Sequence, residues 1–122
     1  MPNPSTEGGS GAGTEVLRRG YVHAMTNSAT PLLSGAANHI YTVLSIIFCE
    51  QGNADESMHM HIDVDSSGTS IALMYDQPIN AEETFVWNEK IVITETDELS
   101  AQLSNAGNVD VWISYIDQEF AS

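Results

Sequence analysis

Positive charge is what this sequence has least of. Arg18, Arg19 and Lys90 are its whole basic complement against 17 acidic residues, for a formal net charge of −14. Holding a phosphate backbone takes Lys and Arg to displace counterions, so direct DNA or RNA binding is excluded, and an anionic lipid surface would repel the chain. Cysteine is almost missing as well. With Cys49 alone no internal disulfide can form, which suits a reducing cytosol. Its place inside an apolar strand reads as a small buried filler rather than a reactive thiol. No apolar run reaches about 18 residues, so no transmembrane helix is expected. The opening MPNPSTEGGSGAGT lacks the charged start and apolar core of a signal peptide.

Catalytic signatures are scarce too. No Walker loop or G-x-G-x-x-G is present, and the Gly8–Gly13 stretch follows no strand and opens no helix, so it reads as linker. Cys49 has no glycine elbow beside it. Glu82-Glu83 and Asp63/Asp65 could be named as paired carboxylates, but 17 acids in 122 residues produce such pairs by chance. No catalytic, cofactor-binding or metal residue is assigned.

What is present is β-pattern. Ile40 to Glu50, IYTVLSIIFCE, is apolar on both faces of a strand, with Tyr41, Val43 and Ile47 set against Ile40, Leu44, Ile46 and Phe48. A strand with one wet face would alternate, so this one calls for cover on both sides. Val109 to Ile116 behaves alike: Val109, Val111, Ile113 and Tyr115 share a face, and Trp112 and Ile116 take the other. So short a chain has little material to cover both faces of a sheet. Part of the cover is expected from another copy or a partner.

Residues 1–14 are rich in Gly, Ser and Pro with no hydrophobic period, and are expected to be a flexible arm that frays or orders on a neighbouring subunit. Residues 15–122 form the expected domain. Glu15–Met25 reads as a strand interrupted by Gly20, Thr26–Asn38 as turn, and 57–65 as a half-buried strand. Thr69–Tyr75 is a strand that Asp76-Gln77-Pro78 breaks, and Glu83–Asn88 and Lys90–Thr94 are short strands. Thr96–Ser104 fits a helix through Leu99 and Leu103, or a strand through Leu99, Ala101 and Leu103. Seven or eight short strands separated by turns predict an all-β fold, a single antiparallel β-sandwich or jelly-roll-like domain.

The arrangement closest to a site is His59-x-His61-x-Asp63-x-Asp65. Alternate residues of a strand share a face, and two such imidazoles can converge on a metal with a carboxylate as third ligand. Cupins use such a pair in a jelly roll. Here the later Glu and Gly of that pattern are absent, and the other histidines, His23 and His39, lie upstream. A polar strand face accounts for His59 and His61 without metal. Met58 and Met60 read as core, and Trp87 and Trp112 as core anchors, with a subunit interface as the alternative for either.

The landmarks IYTVLSIIFCEQGNADES, Pro78-Ile79 through Thr84-Phe85 to Lys90-Ile91-Val92-Ile93, Asp97-Glu98-Leu99 and VDVWISYIDQEF resemble small β-rich virion structural proteins of tailed bacteriophages, including phages of marine bacteria and cyanobacteria. The resemblance spans residues 40–120 and carries no active-site residues. It implies that Thr96–Ser104 is a strand and that the chain is a non-enzymatic virion component, assembled in the host cytoplasm. It would be a capsid decoration or cement protein on the outside of the head, or a neck, tail or baseplate protein. The implied partners are the major capsid protein or other virion proteins and further copies of the chain, with a trimer as the expected oligomer. Arg18-Arg19 could anchor the arm on an acidic neighbour. A metal-binding cupin-like module through His59 and His61 is the remaining alternative.

Overall fold

The computed structural model describes residues 14–120, and those residues build nine strands and no helix. The strands are β1 Thr14–Met25, β2 Thr30–Ser34, β3 His39–Glu50, β4 Glu56–Val64 and β5 Thr69–Ile79, then β6 Thr84–Trp87, β7 Ile91–Thr94, β8 Glu98–Leu103 and β9 Val109–Glu119. They form two antiparallel sheets. Sheet A runs β1-β9-β3-β6, with β7 also pairing β3, and sheet B runs β2-β8-β4-β5. Because β6 and β7 take successive halves of the same edge of β3, they act as one broken strand. Eight strands in two four-stranded layers, with every connection except the β4–β5 hairpin passing from sheet to sheet, make a jelly roll. The expected all-β sandwich is what the chain forms. The Gly/Ser/Pro-rich residues 1–13 of the expected arm lie outside the described residues.

The core lies between the sheets, where Ile46, Phe48, Met58, Met60, Leu99 and Ile113 are among its fully buried members. Met58 and Met60 sit where the alternation of β4 places them, inward and opposite Leu103 and Ala101 of β8.

Three local readings need correction. The Thr26–Asn38 turn contains β2, and β5 does not stop at Asp76 but continues to Ile79. Pro31 and Pro78 prompted both readings. Each lies on an edge strand, where a missing N–H leaves no ladder bond unmade. Bulges at Asp76, whose φ is 51°, and near Leu73 let β5 stay in register with β4. Gly20 does not interrupt β1. The strand runs through it opposite Ile113, and a Cβ at Gly20 would meet Ile113 Cγ2 at 3.2 Å, so its bareness admits that core side chain. The ambiguous Thr96–Ser104 resolves as strand β8, its Leu99, Ala101 and Leu103 all pointing inward and fully buried.

The apolar run in β3 has a finer structure than simple alternation. The pairing of β3 with β9 shifts between Val43 and Ser45, and this bulge moves the strand's phase by one residue. Val43 before it and Ile46 and Phe48 after it therefore all face the core and are fully buried. Ile47 and Cys49 are left on the outside.

Candidate functional site: an uncovered apolar sheet face

The outer face of sheet A carries apolar side chains in rows across its strands. Tyr21 of β1 lies opposite Trp112 of β9, Trp112 opposite Ile47 of β3, and Ile47 opposite Val86 of β6. All four are exposed: 65% for Tyr21, 43% for Trp112, 38% for Ile47 and 50% for Val86. A second row repeats the pattern: Leu17 opposite Ile116, Ile116 opposite Thr42, Thr42 opposite Val92. Between them Ser114 and Ser45 keep the middle of the face low, with Arg19 at its β1 end. A cross-strand row forms because facing residues of paired strands stand about 5 Å apart on one side of the sheet.

The rows are ordered by their own contacts. Tyr21 and Trp112 stack with ring centroids 6.3 Å apart, and the Arg19 guanidinium lies 5.0 Å from the Trp112 ring centroid. Next to them Tyr21, His23, Ile47, Cys49, Asp110 and Trp112 help to line an open groove of about 390 Å³. Its rim is set by a bulge in β1 between Val22 and Met25. There Asp110 accepts the backbone N–H of Ala24 at 2.9 Å and lies 3.0 Å from His23 Nδ1. Trp112 is thus a surface residue and no core anchor, whereas Trp87 is half-buried against the core and donates its indole N–H to the Glu89 carbonyl. Cys49 is half-buried on this outer face, where sequence had it as core filler.

The outer face of sheet B is different in kind. His59, His61 and Asp63 do share it, as their alternation predicts, while Asp65 falls in the turn beyond β4, where its N–H donates to Asp97. His59 Nε2 is 2.7 Å from Ser104 Oγ and 3.3 Å from an Asp76 oxygen, and its ring packs edge-on against Tyr75. Asp63 faces Glu98 across the ladder, and its Oδ1 is buried without a hydrogen-bond partner among the described residues. Among the described residues no three His, Cys, Asp or Glu side chains come together to hold a metal ion.

Two buried acids hold the ends of the sandwich. Glu50 accepts backbone N–H groups from Glu82 at 3.0 Å and Gly52 at 2.7 Å, which hold its carboxyl below the usual range. It ties together the loops after β3 and β5. At the other end, burial alone would raise the carboxyl of Asp117. Bonds from His39 Nδ1 at 2.6 Å and Arg18 Nε at 2.8 Å outweigh burial and hold it low. Arg18 Nε is thus engaged within the domain, while the side chain stays half exposed.

Comparison with known proteins adds the fold and no more. No protein-family model matches the sequence, and no curated protein matches it. A chain of the acidic stable capsid of Helicobacter pylori bacteriophage KHP30 superposes with a TM-score of 0.51, at 11% identity over 91% of each chain. The Drosophila NLP core, a structure described for pentamer formation and histone binding, superposes with a TM-score of 0.53, at 13% identity over 82% of this chain and 97% of that one.

Proposed function

We propose that this chain is a non-enzymatic virion structural protein of a tailed bacteriophage. In this reading it decorates or cements the outside of the head as a homo-oligomer bound to the major capsid protein. The observation that carries the proposal is the apolar outer face of sheet A on a jelly roll. A monomer has no use for two exposed rows of Tyr, Trp, Ile, Leu and Val, and contiguous apolar surface of this kind marks an interaction site. The jelly roll shared along 91% of its length with a phage capsid chain supports a virion setting. Thr14 already belongs to β1, so residues 1–13 serve in this proposal as the arm that orders on a neighbouring subunit. Removing them leaves the domain folded and weakens particle binding, while unchanged binding removes the arm from the account.

Quantitative mass spectrometry of purified virions tests the placement. Hundreds of copies per particle fit a head decoration protein, about 6 to 12 place the chain in the rings of a neck, tail or baseplate, and its absence from virions overturns the proposal. A second reading is favoured by the net charge of −14 and by the fold shared with the histone-binding NLP core. There the chain is an acidic binder of a basic protein, and its complexes dissociate as salt rises.

A further inference from the structure

We infer that the uncovered face of sheet A is closed by the same face of a second copy of this chain. The inference rests on the self-assembly part of the proposed function and not on a place in a virion.

Charge selects the occupant. Of the 16 acidic residues among those described, only Glu15 and Asp110 alternate onto the strands' outer side in sheet A, where Arg19 opposes them. Glu15 accepts from Gln118 at 2.8 Å, and Asp110 is engaged with Ala24 and His23. Asp63 and Glu98 lie on the outside of sheet B, and runs such as Asp55-Glu56, Glu82-Glu83 and Glu95 lie in or beside loops. Two molecules of charge −14 repel across most relative orientations. The face where they meet most cheaply is the one cleared of acid, and it is the apolar one. A basic partner would be drawn to the acid-rich surfaces instead. The residue set, two aromatics with an Arg among aliphatics and almost no Asp, Glu or Lys, is the composition of an interface centre.

The area is sufficient. Strands β1 and β3 are 12 residues long. At about 3.3 Å per residue, across four strands about 4.8 Å apart, the face spans roughly 750 Å², close to the ~800 Å² that each partner contributes to a standard stable interface. A face that meets itself is related by a two-fold axis. The assembly then has an even number of subunits, in place of the trimer expected from the sequence.

Sedimentation velocity on the full chain at about 50 mM and about 500 mM NaCl tests this, because the Debye length shrinks well below 10 Å over that range. The expected result is a dimer that tightens with salt as like-charge repulsion is screened. Trp112→Glu and Val86→Glu, each checked for an unchanged circular dichroism spectrum, should weaken it by at least about tenfold. Tyr75→Glu, on β5 of the other sheet and itself 75% exposed, should leave it unchanged. A monomer at both salts, a trimer, association that loosens with salt, or folded Glu variants that associate like the parent would each overturn the inference. A trimer or a monomer would leave the virion proposal standing, to be decided by copy number.

Discussion

Asp117 shows how much one side chain can organise. It is 5% exposed, with His39 and Arg18 on its two oxygens, and so joins β9 to β3 and β1 at one end of the sheet. Its folded carboxyl lies below the ordinary value of 3.8, so the unfolded chain binds protons more readily. The stability this gives is fully present above about pH 3.8 and is lost as pH falls through the folded value. Glu50 and Asp97 are lowered likewise, while burial and the neighbouring Glu50 and Asp55 charges raise Glu56 and oppose them. Thermal melts from pH 7 to acid should show the melting temperature dropping below about pH 4. Asp117→Asn should melt lower than the parent at neutral pH and show a shallower acid drop. A variant that matches the parent at every pH would contradict this role. None of these partnerships was legible in the sequence. Asp117 and His39 are 78 residues apart, and nothing local marks them as neighbours.

At the scale of the strand, the sequence carried most of what matters, and its failures have identifiable causes. Alternation in β4 located Met58 and Met60 in the core and His59 and His61 outside. Alternation in β9 separated Val111 and Ile113 from Trp112 and Ile116. Both hold because neither strand carries an extra residue there: β4 stays in register with β8, and the bulge in the β3–β9 pairing falls on β3 at Leu44. In β3 the run read as two apolar faces, and only the bulge at Val43–Ser45 shows why Val43, Ile46 and Phe48 share one side. A bulge is a property of the pairing with β9 and has no signature in β3 itself. In β8 periodicity was ambiguous, and burial between β2 and β4 settled it. Leu99→Ala should therefore cost about 2–5 kcal/mol, since a fully buried leucine leaves a cavity that a two-layer core cannot easily close. Urea unfolding measures it. A loss below about 1 kcal/mol would mean that β8 is not the packed central strand described here.

For the whole molecule the two sheets present unlike outer surfaces. Sheet B offers histidine, serine, glutamine and carboxylates, and sheet A offers two apolar rows with little charge. The sequence signalled this asymmetry through the demand of β3 and β9 for cover on both sides. It could not say that the uncovered rows of β1, β9, β3 and β6 line up, because that depends on strand order and register. The His59-x-His61 pair drew attention as a possible metal site, yet their surroundings are a ladder of unlike partners, and the aromatic face on the opposite sheet carries the functional proposal.

The central claim is that this aromatic face is covered in the working assembly. Hydroxyl-radical footprinting of the assembled protein, with Tyr75 as internal reference, tests it most directly. In the single chain Tyr21 is 65% exposed and Tyr75 is 75% exposed, so an uncovered face gives similar oxidation at the two rings. The account predicts that Tyr21 and Trp112 are protected several-fold relative to Tyr75. Tyr21 reacting as fast as Tyr75 in the assembly would contradict it.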